Sequence, residues 1–169
     1  MNPQKTREEA ARKFSPGRFG GFLLFALVLI GLDQLTKALV RQNIALGTSI
    51  EVTPFFNLCH VRNTGAAFSF LGDAGGWQVY FFAGFALIVS AVVVKMLYSY
   101  SRDFWLPVFL SAVLAGALGN LIDRVVLGNV VDFLDFHLAA HHWPAFNVAD
   151  MCICLGAFGV IVLEFFKRR

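Results

Sequence analysis

Residues 147–166 read NVADMCICLGAFGVIVLEFF. Asp150 is followed by about sixteen mostly apolar residues, a run long enough to place the carboxylate within the membrane zone. An ionisable group at that depth is costly, so it faces a cavity or a partner and marks a candidate functional site. Asn147 and Asp150 are three apart and share a helix face. They also read as an N-cap and a first-turn acid favoured by the helix dipole, which explains part of the pattern and leaves chemistry open.

The same pairing of acid and apolar run recurs outward from this stretch. Asp33, Asp123 and Asp132 also sit in or beside apolar blocks. Asn120, Asp123 and Arg124 are spaced i, i+3, i+4 on one helix face. They read as a cluster closing the helix, with Asp123 held by Arg124, or as groups that take part in chemistry. Asp132 lies in Val130-Val131-Asp132-Phe133, with apolar residues on both sides and Gly128 upstream to allow a sharp turn. Lys37 follows Asp33 by four residues, the spacing of an in-helix ion pair near the outer interface. Arg62-Asn63-Thr64-Gly65-Ala66-Ala67-Phe68 reads either as a tight turn or as a lining for an extended peptide, and spacing alone does not separate the two. Two converging carboxylates can share a proton and activate a water. The pair can be Asp132 with Asp150, Asp123 with Asp150, or Asp135 in place of Asp132.

Composition supports a membrane class. The 169-residue chain is 57% hydrophobic and only 15% charged, with 19 phenylalanines, and its mean hydropathy is +0.66. Soluble domains are nearer half apolar and a quarter charged. Residues 1–19 form a basic tail, broken by Pro16-Gly17 from the apolar run that follows. No small-residue cleavage site follows that run, so it reads as an uncleaved first span. Spans are expected at about 20–40, 77–98, 104–121 and 146–166 within one membrane domain covering 1–169. Residues 41–76 alternate and carry β-branched and aromatic residues, so they read as a strand-bearing segment outside the membrane, closed by the Gly-rich 72–76 loop. Residues 122–145 read as a mixed connection. The third span is rich in small residues that allow close helix packing.

Four spans put both termini on one side. The N-tail, the Lys95–Arg102 turn and the C-tail hold ten of the 14 Lys and Arg residues, and 125–145 holds none. The positive-inside rule then makes both termini cytoplasmic and turns 41–76, 122–145, Asp132 and Asp150 outward.

Other chemistries are poorly supplied. A net charge of +3 without a basic run between aromatics gives no nucleic-acid surface. Cys59, Cys152 and Cys154 have no metal spacing and read as packing residues, with Cys152 and Cys154 pointing in different directions. His137, His141 and His142 lie beside Trp143-Pro144 without a metalloprotease helix signature, and read as an interfacial loop. No G-x-S-x-G motif is present. No cofactor or metal is expected. Two rivals remain: a small polytopic transporter or lipid-binding protein that relays protons through its aspartates, and a metal-dependent protease built on the three histidines. The first lacks the inverted repeat typical of transporters.

The combination and order of five stretches resemble one family along nearly the whole chain. They are Asp33-Gln34-x-x-Lys37, Asn63 to Ser69, Gly116 to Arg124, Val130-Val131-Asp132-Phe133 and Phe146-Asn147-Val148-Ala149-Asp150. The chain resembles the bacterial lipoprotein signal peptidases (signal peptidase II, aspartyl peptidase family A8). The resemblance leaves out the 1–19 tail. It implies an all-α polytopic inner-membrane protein with four transmembrane helices and a small periplasmic β-rich cradle. It implies a catalytic dyad of Asp132 and Asp150, with Asp33, Lys37, Asn63, Gly65, Asn120, Asp123, Arg124 and Asn147 as substrate-binding or supporting residues. The implied substrate is a prolipoprotein with a diacylglyceryl-modified Cys, cleaved just before that Cys by a monomer in contact with membrane lipids. One departure is visible: the family often has Ser after the last aspartate, where this chain has Met151-Cys152. That leaves the dyad untouched.

Overall fold

The structure is a computed structural model that describes residues 14–65 and 75–167. The first thirteen residues of the tail, 66–74 with most of the Gly-Ala-Ala-Phe-Ser stretch and the start of the Gly-rich loop, and 168–169 lie outside the described residues.

Four helices carry the apolar runs: α1 (Pro16–Asn43), α2 (Trp77–Ser99), α3 (Trp105–Leu127) and α4 (Val148–Lys167). All four are long and apolar enough to cross a membrane. Pro16 begins α1, where its missing N–H costs nothing. α3 is the hub. Its apolar window is 56% buried, against 22% or less for the other three helices, whose outer faces are left for lipid. Small residues explain this position. A Cβ on Gly116 would strike the Ala149 carbonyl, and one on Gly156 would lie 2.6 Å from the Phe109 carbonyl, so the α3–α4 seam closes only with glycine there.

The helix ends define two poles. At one pole Phe14 stacks on Tyr98 at 4.2 Å, and the Ser15 N–H donates to Ser101 Oγ at 2.8 Å. The nearby bundle is packed with Phe22, Ala26, Val93, Leu97, Leu110 and Leu114. At the other pole a four-stranded antiparallel sheet sits on the helices, in the order β1 (Ser49–Thr53), β2 (Phe56–Asn63), β3 (Val130–Leu138), β4 (His141–His142). Val131 and Phe133 of β3 pack with Val40 and Ile44 at the end of α1, which fixes the sheet to the bundle.

Two boundaries differ from the sequence reading. α3 runs to Leu127 rather than ending near 121, and Gly128, at φ 72°, terminates it. The stretch read as a mixed connection holds the last turns of α3 and then β3 and β4. The first half of β3 does not alternate because Val130, Val131, Asp132 and Phe133 are all buried, one face against helices and the other toward the site. A strand buried on both faces lacks the period of two that marks strands in sequence.

Candidate active site

Asp132 enters from β3. Its register opposite Val61, two residues before Asn63, is set by β2 and follows a bulge at Cys59–His60 that shifts the ladder. Asp150 enters from the first turn of α4. Both open onto one cavity of about 560 Å³, walled mainly by Val130, Pro144, Phe146, Ile153 and Leu155, with Asn63, Asn120 and Arg124 as its other polar groups. Apolar walls with a few convergent polar groups are what a binding site for an apolar chain with one reactive bond requires.

Each carboxylate oxygen is held by an N–H donor. Asn147 Nδ2 donates to Asp132 Oδ1 at 2.7 Å, and Asn63 Nδ2 donates to Asp132 Oδ2 at 3.0 Å. Asn120 Nδ2 donates to Asp150 Oδ1 at 2.8 Å, and the Asn147 N–H reaches Asp150 Oδ2 at 3.2 Å. The Asp150 N–H donates back to Asn147 Oδ1 at 2.9 Å. Asn147 is therefore both the reciprocal cap of α4 and the bridge to the second aspartate, so its capping and site readings hold together. Asp132 is 3% exposed. Burial first, then the charge of Asp150, push its carboxyl up to about 7, against the hydrogen bonds from Asn63 and Asn147.

Behind the pair lies a buried ionic cluster. Lys37 Nζ meets Asp33 Oδ2 at 2.9 Å, Asp123 Oδ2 at 3.1 Å and Asn120 Oδ1 at 3.0 Å. Asp33 Oδ1 accepts the Ala149 N–H at 2.8 Å, and Asp123 Oδ2 accepts the Val131 N–H at 3.1 Å. The in-helix Asp33–Lys37 pair forms as its spacing suggests, buried between the helices. The sequence pairing of Asp123 with Arg124 does not occur: Asp123 turns inward to Lys37, and Arg124 turns the other way. Adjacent residues on a helix diverge by about 100°, so a central lysine wins one and leaves the other to the cavity. Arg124 donates to the Gly65 carbonyl at 2.8 Å and the Asn120 carbonyl at 3.3 Å, and its guanidinium lies 5.4 Å from the centre of the Phe82 ring. The Gly65 N–H returns to Asn63 Oδ1 at 2.9 Å, closing a small turn that aims Asn63 at Asp132.

All ten residues singled out from sequence thus fall in one connected network. Gln34 had no assigned role, yet its amide donates to Asp33, Asp123 and the Gly119 carbonyl. Its place beside Asp33 in the Asp-Gln-x-x-Lys stretch was the available signal. Asp135 is removed from the pair. It faces a separate groove with His142 and hydrogen-bonds His142 Nδ1 and Asn57. Burial would raise its carboxyl, but those two bonds together with the charges of His142 and His137 hold it below the usual range. His137 stacks on His142 with ring centroids 4.8 Å apart, and His141 is exposed. Among the described residues no three His, Cys, Asp or Glu side chains are placed to hold a metal ion. Burial and the charges of Asp135 and Asp132 push the Cys59 thiol up to about 11, so it carries no thiolate at neutral pH.

The family model described as signal peptidase (SPase) II matches residues 25–166. A protein of Cupriavidus necator described as a lipoprotein signal peptidase is 49% identical over 148 residues, covering 88% of this chain and 85% of that one. One of Tolumonas auensis with the same description is 49% identical over 149 residues, covering 87% and 91%. A solved structure described as a bacterial membrane enzyme, determined by the in meso method at 2.3 Å resolution, superposes with a TM-score of 0.79 at 32% identity, covering 88% of this chain and 90% of that one.

Proposed function

The chain belongs to the signal peptidase II family, and from that premise we propose that it removes signal peptides from diacylglyceryl-modified prolipoproteins, cutting just before the lipid-modified Cys. Asp132 and Asp150 are the catalytic dyad. The observation that carries this reading is that two carboxylates from different elements open onto one apolar cavity at the sheet-bearing pole of a membrane bundle.

The reaction needs no covalent intermediate. One carboxylate, ionised, takes a proton from water as the water oxygen bonds to the scissile carbonyl carbon. The other, protonated, gives its proton to the carbonyl oxygen. The tetrahedral diol then collapses: one hydroxyl returns its proton to the second carboxylate as the carbonyl re-forms, the C–N bond breaks, and the leaving amine takes a proton from the first carboxyl. Like charges held close do not both ionise readily, so the pair titrates as a unit. Asn63, Asn120 and Asn147 hold the four oxygens; Arg124 and Gly65 shape the rim; Asp33, Lys37 and Asp123 set the helices on which these residues stand.

Both termini are cytoplasmic and the dyad faces the periplasm of a bacterial inner membrane. The Lys and Arg distribution supports this orientation. Acyl chains buried in the bilayer hold the scissile bond at the depth of the dyad, which orients the amide and raises its effective concentration. The test is cleavage of one synthetic prolipoprotein peptide in detergent, with and without diacylglyceryl on its Cys. The lipidated peptide is cut with the higher kcat/KM, and Asp132→Asn and Asp150→Asn each lower its turnover by at least about 10²-fold while remaining folded. Equal kcat/KM for the two peptides, or substantial turnover by either variant, refutes the reading.

A further inference from the structure

We infer that Lys37, acting through Asn120, makes Asp150 the carboxylate that holds the negative charge and takes the proton of the attacking water, while Asp132 keeps the proton destined for the substrate carbonyl. This deepens the proposed function and rests on it.

A lysine ammonium has three N–H donors and no acceptor. All three of Lys37's are used, on Asp33, Asp123 and Asn120. The Asn120 atom that meets Lys37 must therefore be its oxygen, which sends its amide nitrogen to Asp150 Oδ1. The other Asp150 oxygen accepts a peptide N–H, which also can only donate. Asp132 is held by donors of equally fixed sense. Asn63 is oriented by the Gly65 N–H, and Asn147 by the Asp150 N–H.

What differs is the charge behind those donors. Behind Asn120 stands the Lys37 ammonium, so that amide is polarised toward Asp150. Asp150 also lies in the first turn of the 20-residue α4, where the unpaired N–H groups and the helix dipole favour an anion. Among the described residues, Asp132 sits in a strand with neutral amides on its two oxygens and no helix terminus of its own.

Among the described residues, the charged groups around Asp150 are Asp33 and Lys37 from α1, Asp123 and Arg124 from α3, and Asp132 from β3. Asp33 and Asp123 are both engaged by Lys37. Arg124 shares the cavity with both aspartates, and the Lys37 charge also reaches Asp132 through space. The asymmetry comes from the Lys37–Asn120 relay and the helix terminus. Lys37 and Asn120 are positioning residues in this scheme; neither gives or takes a proton.

The test is carboxyl ¹³C NMR of the full chain in detergent, labelled at Asp Cγ, with the two signals assigned by Asp132→Asn and Asp150→Asn. In wild type the Asp150 signal moves first as pH rises, and the Asp132 signal follows at a midpoint at least about one unit higher. In Asn120→Ala, which cuts the relay and leaves both aspartates, the gap between the midpoints closes by half or more. The reverse order in wild type overturns the inference. So does a gap that Asn120→Ala leaves unchanged. Should Asn120→Ala fail to fold, the wild-type order decides alone. The titration needs no substrate, so it fails or stands separately from peptide cleavage: a lipidated peptide cut by an enzyme with the reverse order sinks only this assignment.

Discussion

Replacing Lys37 with Met tests the buried ionic cluster most directly. The side chain is 2% exposed, and its two carboxylate partners are 1% and 3% exposed. Met has similar volume and reach, so packing changes little and the charge is what is lost. Asp33 then keeps the Ala149 N–H, Asp123 keeps the Val131 N–H, and both compete for the Gln34 amide. Removing one partner of a buried pair costs about 3–5 kcal/mol, because it leaves charge uncompensated. The remaining N–H donors place Lys37→Met near the middle, at about 4 kcal/mol, or a fall in Tm on the order of 10 °C. The assay is unfolding in mixed micelles, by heat and by SDS titration. Adding Asp33→Asn and Asp123→Asn to Lys37→Met should recover about 2 kcal/mol, since neutral amides need no counter-ion. A Lys37→Met protein within about 1 kcal/mol of wild type, or amide substitutions that only add their own losses, would refute this account.

Three further outcomes follow from the geometry. Because the Asp132 carboxyl is raised to about 7, its proton stabilises the fold fully below the ordinary 3.8, and that contribution is lost as pH rises through about 7. The kcat/KM profile should bend down near the same pH, and Asn63→Ala, which removes a bond favouring the ionised form, should move the bend upward; a flat profile to pH 9 contradicts this. Cys154 is exposed and lines the cavity, whereas Cys59 and Cys152 are buried, so a bulky maleimide should block cleavage in wild type and spare Cys154→Ser. Gly119→Ala places a methyl 2.7 Å from Asp33 Oδ2 and 3.2 Å from Ala149 Cβ, so it should cost about 2 kcal/mol in micelle unfolding; a neutral effect means α1 and α4 have room to part.

The four spans were legible because lipid demands a long apolar run and little else. The Asn147–Asp150 cap and the Asp33–Lys37 pair were legible because both are local, fixed by helix spacing. What spacing left open was which long-range partner wins. Asp123 beside Arg124 offers a plausible local pair, and only the approach of α1 shows that Lys37 takes the carboxylate. β3 escaped because burial on both faces erases alternation. For the same reason the strand origin of Asp132 could not be read from Val130-Val131-Asp132-Phe133, and the choice of Asp132 over Asp135 came from the family motif. In the structure those two residues serve different faces of one strand, one opening to the cavity and the other to the groove at His142.

The Asp33–Lys37 pair also bears on how the chain enters the bilayer. α1 is made before α3 and α4, and the groups that finally surround its charges, Asn120 and Asp123 of α3 and the Ala149 N–H of α4, lie more than eighty residues downstream. A lone lysine or aspartate in that first span would have to wait in hydrocarbon for its counter-ion. Spaced one turn apart and 2.9 Å from each other, the two neutralise one another within the helix, so the stretch of α1 between Arg18 and Arg41 can enter lipid without net charge before its neighbours exist. The later helices then recruit a pair already formed. Moving Lys37 to a position off that turn would therefore be felt at the translocon, as fewer inserted chains, before it was felt at the dyad.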